Sequence, residues 1–404
     1  MMSIERRLYG IGFNGFGQLD RKQLDTPSID SPVLLFTTSR FHDQVIGVDS
    51  CFEVAIAWTF TQVLIFGWTY SLHLSACKTV NSSDDDDDDD DVDAVCIITA
   101  AQMGLSDTIL KCRFVAASST HSEYLVIQTT QLELFRVDST IKDHHRPELG
   151  MLPSYKDKPV DTSYQTDRLL GLCGNFALST EYGCAWLILG KIVSWRLDEP
   201  KIIIRTLESS IPLFDRFISN MCAGICHFVA LTEDGEVLSW RVGDAAALHG
   251  QLGRIDSADT ASPHSVNVIE ALQGMRMSAI AAGGLHTLAV SEDGVIYSLH
   301  GALGIADSHG LPEPVDIDLE FDTTTRPCVA GGLYHSIVSD GKSIYGAGWT
   351  SYGQLGRIGT GDDIPVMCKL DIPLPTESRI EGVFAGGWST YLLASVKKTA
   401  NLTE

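Results

Sequence analysis

Short apolar runs recur along the second half of the chain, each framed by the same small and polar residues. Val229-Ala230-Leu231, Leu288-Ala289-Val290 and Ser336-Ile337-Val338 each follow an Ala-Gly start and precede an Asp-Gly pair, at Asp234-Gly235, Asp293-Gly294 and Asp340-Gly341. An apolar run bounded in this way suits a buried strand, and Asp-Gly supplies the positive φ of a tight hairpin turn. A second strand follows and ends on a large ring, Trp240, Tyr297 or Tyr345, with glycines nearby that let sheets approach closely. The pattern predicts an antiparallel β module rather than a helix.

The module repeats. Ala223–Trp240 (AGICHFVALTEDGEVLSW), Ala282–Leu299 (AGGLHTLAVSEDGVIYSL) and Ala330–Gly356 (AGGLYHSIVSDGKSIYGAGWTSYGQLG) are copies of one unit. Each opens with a glycine and a histidine three residues later: Gly224 and His227, Gly283 and His286, Gly332 and His335. The string GQLG closes the unit at Gly250–Gly253 and Gly353–Gly356. A last copy, Ala385–Ala394 (AGGWSTYLLA) with Trp388, stops halfway. The chain begins with the missing half, since Gly12–Asp20 (GFNGFGQLD) aligns without gaps to Gly348–Gly356 (GWTSYGQLG), with Phe13 opposite Trp349. Two complementary half-units fit a closed ring, whereas an open solenoid requires polar capping repeats. Fainter units at Val48–Trp68, Phe114–Phe135 and Leu170–Trp195 bring the count to seven. The expectation is an all-β, seven-bladed β-propeller over residues 1–404, closed where Gly12–Leu19 pairs with Ala385–Ala394.

The order Gly-x-x-His, Asp-Gly, aromatic-Gly strand and GQLG resembles the regulator of chromosome condensation repeat, strongly over 220–404 and 8–20 and weakly over 46–196. That resemblance implies a seven-bladed propeller. The segments GFNGFGQ, EALQGMRMSAIAAGGLHTLAVSEDGVIY and AGGWSTY look closest to small animal members that consist of little more than the propeller. Such members imply a non-enzymatic nuclear scaffold, partner to a Jumonji-C oxygenase and linked to histone methylation and chromosome segregation. The founding activity of the family, guanine-nucleotide exchange on a Ran-type GTPase, is the alternative. Plant ultraviolet-B photoreceptors of the family depend on repeated Gly-Trp-Arg-His-Thr units, and the seven tryptophans here form none. Departures from the family pattern are Leu299 and Ala347 at positions usually held by Trp, and Ser389 at the last His position.

Composition narrows the function classes. The net charge of −23 includes the run Asp84–Asp91 and Asp93, and without those nine aspartates the balance is still about −14. Closely packed like charges cannot be buried, so 69–111 reads as an acidic, partly disordered insertion between the first two blades. A basic stripe for phosphates is lacking, so direct nucleic-acid binding is not expected. A second polar insertion spans 137–168.

No stretch approaches 18 uninterrupted apolar residues, and the N-terminus MMSIERRLYG lacks an apolar core, so neither a membrane span nor a secretory signal is expected. Ten cysteines without a regular framework, including Cys51, Cys184 and Cys328 in apolar strands and the Cys222/Cys226 pair, suit reduced thiols in an intracellular protein. His227, His286 and His335 recur at one repeat position, which a hydrogen bond to neighbouring backbone explains better than shared metal ligation, since blades hold such residues apart. No nucleophile–base set is marked and no phosphate-loop lysine accompanies the glycines. The expectation is a monomer with no cofactor, no metal and no catalytic residue. Arg6-Arg7 and Lys397-Lys398 are too short for a strong import signal.

Deletion of Asp84–Asp91 is expected to leave folding nearly unchanged, because loop-length entropy varies slowly and like-charge repulsion is relieved. Thermal melting against the parent checks this; a loss above about 10 °C would show that the run is structurally engaged.

Overall fold

The computed structural model describes residues 3–14, 19–20, 28–38, 44–50, 54–67, 96–100, 108–117, 122–129, 176–179, 183–188, 191–195, 205–206, 217–225, 227–241, 250–254, 266–299, 311–317, 327–356 and 363–398. Among these residues six antiparallel four-stranded sheets and one two-stranded sheet form. The three clear repeats each make one sheet in simple up-and-down order. Ile218–Ala223, His227–Thr232, Val237–Arg241 and Asn267–Val268 form the first, and Met277–Ala282, Thr287–Ser291, Ile296–Leu299 and Glu313–Pro314 the next. Cys328–Gly331, His335–Ser339, Ile344–Gly348 and Ile364–Leu370 form the third. The fainter repeats give Gly47–Ser50, Val54–Trp58, Gln62–Gly67 and Cys96–Thr99, then Ile109–Ala117 with Ser122–Thr129, then Phe176–Ser179, Gly183–Ile188, Lys191–Trp195 and Arg205–Thr206. First strands of successive sheets pack side by side and line a central cavity, the arrangement of a β-propeller.

The second strand of each clear blade explains the apolar runs. All six residues of His227–Thr232 are buried. Phe228 and Ala230 pack with Ile218, Met221 and Trp240 on one face. Val229 and Leu231 face the next sheet, against Met277, Ile280, Ala289 and Leu299. Leu288 and Val290 likewise meet Val338, Tyr345 and Ala347, and Ile337 meets Val383 and Leu392. A strand covered on both faces loses the alternation of a half-exposed one and reads as a continuous apolar run. The core is therefore a series of layers between sheets. Leu299 and Ala347, the residues at Trp positions, are both fully buried in those layers.

The Asp-Gly pairs lie in hairpin turns, with the positive φ at the glycine. Only the glycine is left-handed, with φ of 83°, 89° and 92° at Gly235, Gly294 and Gly341. In the first of these turns the loop is Glu233–Glu236, and Thr232 closes it by bonding Glu236. The aspartate acts as an acceptor: Asp340 Oδ1 takes the N–H of Lys342 at 2.8 Å and of Ser343 at 2.6 Å, and Asp293 accepts the Ser291 hydroxyl. Asp234 occupies the same place in its turn.

The ring closes through a sheet built from both termini, in the order Ser28–Thr38, Ser3–Phe13, Ser389–Lys398, Arg379–Ala385. The pairing register corrects the expected one. Ser3–Gly12, not Gly12–Leu19, runs antiparallel to Ser389–Lys398, with Gly10 opposite Tyr391 and Gly12 opposite Ser389. The gap-free alignment had located only the end of this strand and its following turn. Gly12 (φ 119°) and Gly348 (φ 105°) share one conformation, and Leu19 and Leu355 are both buried. Arg6 pairs with Glu381 and Arg7 with Glu5 in this sheet, and Lys397 reaches Glu377.

The boundaries of the acidic insertion also change. Cys96–Thr99 and the start of Ile109–Ala117 are strands inside the 69–111 span. In sequence, the Asp84–Asp91 run falls between the third and fourth strands of one sheet rather than between two blades. That run, the 137–168 stretch, Cys51, Cys226 and Phe16 lie outside the described residues. Among the described residues no helix is long and apolar enough to cross a membrane.

Removing residues 1–20 deletes a central strand of the closing sheet together with the buried Leu8, Ile11, Phe13 and Leu19. At roughly 1.5–3 kcal/mol for each large side chain, the loss rivals a whole-domain stability of about 5–15 kcal/mol. The truncated protein should aggregate or melt without cooperativity. Cysteines replacing Glu5 and Val396, direct cross-strand partners, should cross-link within one chain. A soluble, cooperatively folded truncation would overturn this account of closure.

Candidate functional site

One end of the propeller collects the Gly-x-x-His loops and the GQLG turns, and the other carries the Asp-Gly turns, because strand direction alternates within each sheet. At the first end the histidines hold blade to blade. His227 Nε2 bonds the Thr287 hydroxyl of the next sheet at 2.9 Å. His286 Nε2 bonds the Ser336 hydroxyl at 2.9 Å, and His335 Nε2 bonds the Thr390 hydroxyl at 3.0 Å. Each Nε2 thus meets a side-chain hydroxyl of the following blade, and at His335 a hydrogen bond with the Ser389 backbone adds the kind of partner the sequence suggested. Thr287 itself donates to the Gln251 carbonyl at 3.1 Å, so it accepts from His227 and places that proton on Nε2. This bond ties the GQLG turn into the same junction.

The glycine three residues before each histidine has a steric cause. A Cβ at Gly283 or Gly332 would overlap the imidazole of His286 or His335, and one at Gly224 would overlap both His227 and the Gly283 carbonyl. The loops also bond one another through backbone. Ile225 N–H donates to Gly284 O at 2.9 Å, Gly284 N–H to Gly332 O at 3.0 Å, and Leu333 N–H to Gly387 O at 3.1 Å. In the final unit Ser389, which replaces histidine, donates to Phe13 O at 3.3 Å, and the Phe13 N–H donates to Trp388 O at 3.0 Å. The seam between the termini is stitched by the departure from the repeat.

These loops rim a central cavity of about 790 Å³. Its wall combines glycines and alanines of the loops with larger apolar side chains, and Asp49, Ser50, Lys111, Asn220 and Ser389 are polar members. The Lys111 ammonium donates to Met221 O at 3.1 Å. Phe13 and Trp388 line the cavity and belong to a cluster of rings at its rim. Phe13 meets Tyr352 at 4.8 Å and Trp388 at 5.3 Å between centroids. Trp349 meets Tyr352 at 5.2 Å, Trp388 at 6.0 Å and Tyr334 at 6.1 Å, each edge to face. Trp349, Tyr352 and Trp388 are half-buried and Tyr334 is 43% exposed. Trp240, by contrast, is fully buried and stacked on Phe228.

The repeat-marking residues thus divide by role. Gly224, His227, Gly283, His286, Gly332 and His335 join blades at the rim, whereas Asp234, Gly235, Asp293, Gly294, Asp340 and Gly341 shape turns at the far end. Trp240 is core, and Trp349 and Trp388 come together at the rim. Among the described residues no group of three or more His, Cys, Asp or Glu lies close enough to hold a metal ion.

No family model matches the chain. Ultraviolet-B receptor UVR8 of Arabidopsis thaliana is 35% identical over 178 residues, 42% of this chain and 37% of that protein. RCC1 domain-containing protein 1 of Mus musculus is 28% identical over 214 residues, 42% of this chain and 54% of that one. The matched part therefore spans about half or less of either relative. Prp20p from Saccharomyces cerevisiae shares the fold across 98% of this chain and 92% of its own, with a TM-score of 0.63 at 16% identity. The chain is an RCC1-repeat β-propeller.

Within this RCC1-repeat propeller, sequence reasoning missed the hydroxyl partners Thr287, Ser336 and Thr390, although each directly follows the His position of its repeat. It also missed Asn14, fully buried, whose side chain accepts from the N–H groups of Leu19 and Asp20 and donates to Asp20 O. The alignment of Asn14 with Thr350, another buried polar residue, was the available signal.

Burial pushes the pKa of His335 from 6.5 down to about 4. A base depressed in the folded state binds its proton more readily when unfolded. Its contribution to stability is complete above about pH 6.5 and is lost as pH falls toward 4, by up to about 1.4 kcal/mol per pH unit. Denaturant midpoints from pH 7.5 to 4.5 should therefore fall, and His335→Gln should flatten the slope. Thr390→Val should cost about 1–3 kcal/mol by stranding a buried polar nitrogen. A flat pH profile for the parent would refute the role given to His335.

Proposed function

We propose that this RCC1-repeat propeller is a non-catalytic interaction module that binds a protein partner at the rim formed by the Gly-x-x-His loops. The observation that carries the reading is the ring cluster of Phe13, Tyr334, Trp349, Tyr352 and Trp388 beside the cavity mouth. Aromatic side chains offer large contact area at low entropic cost and are enriched at interface centres. The loops beneath them are braced by inter-blade bonds, so little ordering is needed on binding. We propose seven blades, with Ile109–Ala117 and Ser122–Thr129 belonging to one of them.

As the partner we propose a Jumonji-C oxygenase, with a nuclear role linked to histone methylation and chromosome segregation. The support is the likeness to RCC1 domain-containing protein 1 and the match of GFNGFGQ and AGGWSTY to small propeller-only members. The second reading, guanine-nucleotide exchange on a Ran-type GTPase, draws on the fold shared with Prp20p, a protein studied for its binding to Gsp1p and histones.

Affinity capture of the tagged full-length protein from its own cells, with mass spectrometry, separates the two. A Jumonji-C oxygenase enriched over control, together with unchanged nucleotide release from Ran at micromolar protein, is the expected outcome. Catalytic acceleration of that release would place exchange first.

A further inference from the structure

We infer that the rim cluster takes cationic side chains, so that the partner docks there through a segment carrying Arg or Lys. The inference rests on the interaction reading above and adds the chemistry of the docked segment.

Ring packing is the first argument. Closure of the ring brings Phe13, near the start of the sequence, against Tyr352 and Trp388 of the last two sheets. Each ring contacts at least one other at 4.8 to 6.1 Å, giving a continuous aromatic surface rather than isolated side chains. The repeat also places Trp240, Leu299 and Ala347 near the ends of third strands, and those residues are sealed in the core. Half-burial of Trp349, Tyr352 and Trp388, with Tyr334 43% exposed, leaves π surface open to a ligand.

Charge is the second. The face of an aromatic ring is electron-rich and attracts an ammonium or guanidinium, more strongly where water is partly excluded. Asp20 follows the turn held by Asn14 beside Phe13. Asp30 is exposed, and its backbone lies against the turn Gly353–Gly356 that follows Tyr352. Asp49 stands in the cavity wall. Lys111, the lysine in that wall, is engaged with the Met221 carbonyl. The chain carries a net charge of −23, and about −14 without Asp84–Asp91 and Asp93, so its long-range field favours cations over acidic segments and nucleic acid. Aromatic faces on a strongly acidic chain suit an Arg or Lys side chain better than an apolar anchor, which would gain nothing from the negative charge.

The test uses full-length protein and three short labelled peptides: alternating Arg-Gly, the same peptide with citrulline replacing arginine, and Glu-Gly. Citrulline keeps the planar group and removes the charge. Anisotropy and tryptophan fluorescence should both report the arginine peptide, with citrulline weaker by about tenfold and the glutamate peptide silent. Tyr334→Ala, at an exposed position, should weaken arginine binding about two- to fivefold, the value of an exposed cation–π contact. Trp349→Ala combined with Tyr334→Ala should weaken it further, with melting confirming the fold.

Deletion of Asp84–Asp91 should leave binding in place; loss on that deletion alone would assign the cation to the aspartate run and overturn the proposal. Equal affinity for arginine and citrulline peptides would overturn it too. So would concentration-dependent dimerisation abolished by Tyr334→Ala, which would assign the cluster to a second copy of the chain. Partner capture unchanged by Tyr334→Ala would overturn the cluster assignment and leave the interaction reading standing, whereas no specific partner for the parent protein would overturn that reading itself.

Discussion

The fold depends on burying both faces of the second strand of each clear blade, one of them against the next sheet. A single blade has no inside of its own. Val229 and Leu231 are covered by the sheet beginning at Met277, and on the opposite face Phe228 and Ala230 pack with Ile218, Met221 and Trp240 of their own sheet. Stability is accordingly a property of the junctions between sheets, and the repeat preserves the residues that make them. The imidazole-to-hydroxyl bonds at the rim are the polar counterpart of these apolar layers. They satisfy the Nε2 atoms of His227, His286 and His335 where exclusion of water would otherwise make them costly.

The same dependence creates a problem at the ends of the chain, where one junction must form between segments almost four hundred residues apart. The answer is a sheet with strands from both termini. Ser3–Phe13 lies between Ser28–Thr38 and Ser389–Lys398, so it is locked on both edges only when Ser389–Lys398 is in place. Ser389 serves this seam, donating to Phe13, whereas histidine at that position would serve a blade-to-blade bond. Closure also brings Phe13 against Tyr352 and Trp388, beside Trp349, at one point of the rim, so the mechanical seam and the aromatic surface coincide.

That coincidence ties function to folding. The rim is held by backbone bonds between successive Gly-x-x-His loops, and its rings are carried on the braced segments of two adjacent sheets. Cationic recognition at such a place combines a rigid platform with a long-range negative field from the acidic body. A loop hanging free of the propeller would have the charge without the platform.

Much of this was legible in the residues. The Asp-Gly pairs, apolar runs and GQLG strings marked strands and turns, and the two half-units announced a ring, because a repeat writes the same local physics several times. Composition likewise set the acidic character. Tertiary structure alone decided the closing register, Ser3–Gly12 rather than Gly12–Leu19, since only strand pairing shows which residues face each other. It also decided what each histidine meets. Gly-x-x-His is local, yet its partner hydroxyl lies 50 to 60 residues away in sequence, beyond the reach of any periodic pattern. The separation of buried Trp240 from rim-lying Trp349 and Trp388 belongs to the same class. All three are aromatic residues of the repeat, and only the packing of neighbouring sheets determines which of them water can reach.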